Sequence, residues 1–227
     1  MPVSTLTKEE MLGGFQVCLN LQEELNKKIA GPNWREKAFP WRRAIWLECA
    51  ELAESFPWKW WAKGKKDPDW DNILIELVDI FHFILSELLE EGIQTAKDLT
   101  LIWEDAEKQV VSRSTVEAYL LAVERLVAEA VYFRRPAMNL VHYFAVLVMT
   151  LGFSLEDIFT PYIGKNALNE FRQEQGIKKG RYKRNWNGKE DNKVLLEIVK
   201  DVPFTGNVND YKEMIKSELA LKYNLGE

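Results

Sequence analysis

Between Ile73 and Leu89 the chain reads ILIELVDIFHFILSELL, a helical run that is apolar on all sides. A helix of that kind belongs inside a protein, surrounded by other elements. Yet it carries Glu76 and Asp79, spaced i, i+3, so that both carboxylates leave one face. A buried carboxylate without a cation or strong donors is very costly. Whatever fold the chain adopts has to provide a partner for these two acids.

One helix earlier the pattern recurs. Glu48 and Glu51 lie in WRRAIWLECAELAESF, again at i, i+3. Two such helices packed face to face would gather four carboxylates, which repel unless something positive sits between them. Hard oxygen ligands suit Mg²⁺ or Mn²⁺, cations that also coordinate phosphates. A cluster of this kind holds two or more ions that activate water and stabilise a leaving phosphate. A plainer reading exists, because acids at this spacing usually form a solvated helix face. Two pairs on neighbouring apolar helices favour the metal reading. Glu87, Glu90 and Glu91 close the third helix and read as solvated.

Helical periodicity dominates the rest of the chain, and strand alternation is nearly absent. Thr7 and Glu10 form a capping box for a helix to about Ile29, which Gly31-Pro32-Asn33 breaks. Further helices are predicted from Pro40-Trp41 to about Ser55, from Asp71 to Glu90 and from Ala96 to Gln109. Ser114 with Glu117 caps a helix reaching Arg134, and Pro136 opens another that stops near Gly152. Ser154 caps the next segment, which Thr160-Pro161 restarts through to Gly176. Gly176 to Glu190 reads as an irregular basic stretch, and the last clear helix runs from about Asn209 to Lys222. These elements point to one all-α domain over residues 1–227, with the part from about 95 to 152 as a lobe able to move separately. The two cysteines, Cys18 and Cys49, form no framework and suggest a reducing compartment. With no signal-peptide pattern at the start and no apolar run long enough to span a bilayer, the expectation is a cytoplasmic protein without membrane partners. A net charge of −5 argues against a general nucleic-acid binder.

Acids paired as ExxE and then ExxD on successive helices resemble the metal-binding pattern of the all-α NTP pyrophosphatases. The strings WRRAIWLECAEL, WKWW, ELVDIFHF and YIGKNALNEFRQEQGIKKGRYKRNWNGKEDN resemble, within that superfamily, the dimeric dUTPases. The resemblance runs from about Leu21 to Asn192 and is weak from Lys97 to Tyr132. It implies a helical homodimer that hydrolyses dUTP, and dUDP, to dUMP. It implies that Glu48, Glu51, Glu76 and Asp79 ligate Mg²⁺, with Glu48 as the base toward water. It also matches Gln22 and Asn26 to positions that hydrogen-bond uracil, as amides offering donors and acceptors can. Trp61 and Phe83 match residues that sandwich the base, with Trp58 and Trp60 as competitors for the role of Trp61. His82 falls in the family's HF dipeptide, although a lone histidine on an apolar helix is more often a core residue. His142 matches no motif and reads as structural.

A triphosphate needs cations as well as metals. Lys165, Asn169 and Arg172 share one helical face, and Lys178, Lys179, Arg181, Lys183, Arg184 and Lys189 follow, with Tyr182 and Trp186 interleaved. Arginine can offer phosphate a bidentate fork and lysine a point charge. The resemblance makes Lys165, Asn169, Arg172, Tyr182, Arg184 and Asn192 candidates for substrate contacts, and the basic stretch from Gly176 to Glu190 reads as a loop that orders over substrate and metal. Lys178 and Lys179 fit a solvated run better. Ile177 stands where relatives are expected to carry an aromatic, and Arg184 where a lysine is expected. Two rivals share most of these features: a MazG-like pyrophosphatase of other or broader specificity, and a non-catalytic nucleotide-binding protein. The apolar helix from Leu140 to Leu151 is a candidate dimer interface.

Overall fold

The computed structural model describes residues 6–62, 67–110, 115–132 and 136–225. Among them are nine α-helices: α1 (Lys8–Ala30), α2 (Trp41–Glu54), α3 (Trp70–Glu90), α4 (Lys97–Gln109), α5 (Val116–Val131), α6 (Met138–Thr150), α7 (Leu155–Glu174), α8 (Asp191–Asp201) and α9 (Val208–Leu225). The only strands among these residues are β1 (Asn185–Trp186) and β2 (Lys189–Glu190), an antiparallel pair. The all-α expectation is met. Thr7 and Glu10 cap α1 reciprocally, as their spacing predicts, and Ser154 does the same for α7 with Asp157. Ser114 and Arg134 lie outside the described residues; α5 is capped by Thr115, whose hydroxyl accepts from the Ala118 N–H.

The helix read as enclosed is enclosed. Ile73, Leu77, Ile80, Ile84, Leu85 and Leu88 of α3 are fully buried, with α1, α2, α6, α7 and α8 packed around them. Phe81 of α3 stacks on Phe144 of α6 at 5.3 Å, within a core that runs from Met11 to Tyr223. That contact corrects one expectation: Leu140, Val141, Phe144, Ala145, Leu147 and Val148 of α6 are spent inside the chain's own core. Those six side chains are not available to a partner.

Four other sequence readings need revision. Pro161 does not restart a helix, because α7 runs through it; Pro161 to Leu168 are all buried, and packing outweighs the one lost hydrogen bond. The helix α8 was not foreseen, although Val194, Leu195 and Ile198 form an apolar face and Pro203 follows its end. The supposedly irregular stretch contains a short 3₁₀ turn at Ile177–Lys179 and the β hairpin. Asn187 and Gly188 take positive φ at its tip, the Asn-Gly signature of a tight two-residue turn. Last, Glu87 and Glu90 are half-buried and partnered, and not a free solvated face. Arg42, buried on α2, holds Glu87 at 2.5 Å, the Trp41 indole donates to Glu90, and Glu91 accepts from the Ala137 N–H.

A close crossing sets α8 on α7. A Cβ at Gly164 would lie 2.7 Å from Val199 Cγ2, so only glycine permits this approach. It brings the first turn of α8 beside Lys165 and Arg172.

Candidate active site

A cleft of about 720 Å³ opens between α1, α2, α3 and α7, with the hairpin and the start of α8 on one side. Its lining gathers Gln22, Asn26, Glu48, Glu51, Glu76, Asp79, His82, Phe83, Lys165, Asn169, Arg172, Arg184 and Asn192. Helical spacing put each pair on one face; the packing of α2 on α3 turns those two faces toward each other.

Carboxylate oxygens of Glu48, Glu76 and Asp79 lie within 4.8 Å of one another. Glu51 sits one turn along α2, exposed at the mouth of the cluster. Burial, then the charges of Asp79 and Glu51, push Glu48 up to about 7. Burial, then Asp79, Glu48 and Glu51, push Glu76 up to about 8. These acids resist ionising together without a cation, and their hard oxygens are the donors that Mg²⁺ or Mn²⁺ takes. The donor set therefore fits a divalent ion. Asn72, which sequence reasoning passed over, donates to both Ser55 Oγ (2.8 Å) and Glu76 Oε1 (3.1 Å), tying the end of α2 to the cluster.

Beyond the acids lies a buried polar network. His82 Nδ1 is 2.6 Å from Gln22 Oε1, and Tyr162 OH is 3.1 Å from the same oxygen. Gln22 Nε2 donates to Asn26 Oδ1 and Ser86 Oγ, each at 3.0 Å. Asn26 Nδ2 donates to Ser86 Oγ at 3.1 Å, and Ser86 donates to the His82 carbonyl. Gln22 thus spends both its donors and its acceptor inside the protein, contrary to the expectation that it meets a base directly. Burial, then the charges of Lys165 and Arg172, hold His82 well below the usual histidine range, so it is neutral. Its Nδ1 carries the hydrogen toward Gln22, which leaves Nε2 as an acceptor. That atom is buried and has no partner among the described residues. Ser86, four residues after His82 and the polar gap in an apolar helix, was legible only as a gap.

The aromatic wall also differs from expectation. Phe83 lines the cleft beside Trp41 and Phe39, with ring centroids 6.2 Å (Phe83 to Trp41) and 5.2 Å (Trp41 to Phe39) apart. Trp61 is 58% exposed, packs edge-on against Trp58 and Trp60, and does not line the cleft. Nothing in the spacing of Phe39 and Trp41 singled them out.

On the cationic side, Lys165 Nζ bonds Asp79 Oδ2 (2.7 Å) and Asn192 Oδ1 (2.8 Å). Arg172 forks onto Asp191 and also meets Asn169 and Asn192. Tyr182 is buried against Tyr223 and donates to Asp191 at 2.6 Å, so it supports the cleft from behind and does not line it. Trp186 packs on Phe171 and Tyr223. The interleaved aromatics are core, and they anchor the hairpin that carries Arg184.

A family model described as dUTPase matches residues 15–177. The chain belongs to this all-α dUTPase family. As a dUTPase it is a hydrolase that acts on a nucleotide, as a dUTP diphosphatase, and the family uses a divalent metal. The matched span covers all four acids together with Gln22, Asn26, His82, Phe83, Lys165, Asn169 and Arg172, whereas Tyr182, Arg184 and Asn192 lie beyond it. No curated protein compared with this dUTPase matches it. Among its described residues no single helix is long and apolar enough to cross a membrane.

Proposed function

We propose that the enzyme hydrolyses dUTP, and dUDP, to dUMP with Mg²⁺ held by Glu48, Glu51, Glu76 and Asp79, and that it selects uracil through His82. The observation that carries the reading is the continuity of one cleft: acid cluster, buried amide and imidazole network, aromatic wall and cations share a single cavity. Those are the groups that metal-bound phosphates, a pyrimidine edge and a pyrimidine face require.

When bound, divalent ions supply Lewis-acid activation of water and neutralise phosphate charge. The chain's own groups do the rest. Glu48 accepts the proton of the attacking water, which adds in line at the β-phosphorus as the bond from that phosphorus to the oxygen bridging it to the α-phosphate breaks and dUMP leaves; attack there also makes dUDP a substrate. Lys165, Arg172 and Arg184 stabilise the charge that accumulates on the leaving oxygens. Phe83, with Trp41, receives the face of the base. His82 Nε2, fixed as an acceptor by Gln22, takes the N3–H of the uracil imide, and the remaining Asn26 N–H meets a carbonyl oxygen. Cytosine carries a lone pair at N3, so it would set acceptor against acceptor. The homodimer belongs to the same proposal and rests on the family resemblance; light scattering tests it.

Pyrophosphate release from dUTP, dTTP, dCTP and UTP, with and without Mg²⁺, tests the reading directly. Metal-dependent turnover concentrated on dUTP is expected, together with phosphate release from dUDP. Comparable rates on dCTP would replace it with the MazG-like alternative, and silence on every nucleotide would leave a binding role.

A further inference from the structure

We propose that Asp191 is a positioning residue for hydrolysis: buried at the start of α8, it fixes Arg172 in place along the phosphate side of the cleft. The inference rests on the dUTP-hydrolysis reading of this site. Asp191 is fully buried, where a carboxylate needs several donors. Arg172 gives it Nη2 to Oδ1 at 2.8 Å and Nε to Oδ2 at 2.9 Å, and Tyr182 OH donates to Oδ2 at 2.6 Å. Its backbone N–H donates to the Arg184 carbonyl at 2.8 Å. Burial alone would favour the neutral acid; Arg172 and Tyr182 outweigh it and hold the carboxyl below its ordinary range.

The choice of donors is what points to function. Arg172 and Arg184 line the cleft, and Tyr182 belongs to the segment that delivers Arg184. Of the guanidinium N–H groups, Nε and one on Nη2 go to Asp191, the second on Nη2 to Asn192, and one on Nη1 to Asn169. One N–H, on Nη1, remains among the described contacts. Arg172 therefore has no fork to offer a phosphate; it presents one donor and its charge from a pre-set place. Donors fixed before reaction cost no reorganisation as charge develops. Asn192, the next residue in the chain, carries the same order to Lys165 and so to Asp79.

A buried ion pair can also serve stability alone, so the test must separate the two roles. Steady-state kinetics on dUTP at saturating Mg²⁺ would compare the wild type with Asp191→Asn, Tyr182→Phe, Arg172→Lys and both double variants, alongside thermal melts. Asp191→Asn should lower kcat roughly 10- to 100-fold with KM within about threefold, as expected for lost positioning of a charged donor. In the Arg172→Lys background the same change should add less than about threefold, because the two act as one unit. If Asp191→Asn does not fold, Tyr182→Phe carries the test, with a kcat loss of roughly 3- to 10-fold that disappears beside Arg172→Lys. Variants that melt earlier but keep kcat within about twofold of the wild type would overturn the proposal, as would losses that multiply independently with Arg172→Lys. A wild type without dUTP turnover would remove the parent reading, and this one with it.

Discussion

Lys165 Nζ lies 2.7 Å from Asp79 Oδ2, so α7 places a protein cation inside the acid cluster that α2 and α3 create. Both side chains are largely buried, at 4% and 19% exposure, so removing either charge leaves the other desolvated and unpaired. Without a metal, this ammonium is the charge that lets the carboxylates coexist. Lys165→Met should therefore lower the melting temperature in chelator by roughly 3–8 °C. In saturating Mg²⁺ the loss should be clearly smaller, since bound cations take over the neutralisation. Equal losses in both conditions would show that Lys165 serves packing alone.

The acids impose a pH dependence whose sign follows from their direction of shift. Glu48 and Glu76 are raised from an ordinary 4.5 to about 7 and about 8. Between about pH 5 and pH 8 the folded chain thus keeps protons that the unfolded chain has released, and stability falls as pH rises through that window. Asp191 is shifted the other way, and its contribution is lost only below about pH 4. Melts in chelator should show the fall from pH 5 to 8, and Mg²⁺ should flatten it. A chelated protein that gains stability over that window would contradict this account of the cluster.

Glu51 is the exposed member of the set, and it contributes charge without being part of the core. Glu51→Gln should cut dUTP turnover at least about 100-fold while shifting the melting temperature by no more than about 2 °C. Full activity in this variant would show that the acid is not a ligand.

His82 offers a cleaner test of base choice than any aromatic. Replacing it by Phe keeps the stack on Tyr162, where the rings lie 4.3 Å apart, and removes the Nε2 acceptor. The ratio of kcat/KM for dUTP over dCTP should fall roughly 100-fold, with the change on the dUTP side. A preserved ratio would mean that another group reads N3.

Gly164 tests the link between fold and site. Gly164→Ala would press a methyl against Val199 and should cost about 1–3 kcal/mol, seen as a melting temperature lower by several degrees. Because α8 carries Asp191 and Asn192, kcat on dUTP should fall more than KM changes. An unchanged melting temperature would show that α8 can retreat freely.

Much of this was legible in one dimension. The apolar run in α3 marked a buried helix, and the spacing of its two acids and of the pair in α2 put each pair on one face, because helical spacing alone decides which side chains share a face. Capping at Thr7 and Ser154 was local chemistry, and so was readable. The Asn187-Gly188 hairpin was equally local but escaped amid the charge run around it. Other features had no local signature. That Trp41 and not Trp61 stands beside Phe83, that Gln22 is consumed by His82 and Ser86, and that Arg172 spends its fork on Asp191 all depend on contacts between distant segments. Spacing states which residues face the same way along one helix. Only the packing of α1, α3, α7 and α8 decides what each face meets, because donors, acceptors and charges are satisfied by whatever tertiary neighbour lies within reach.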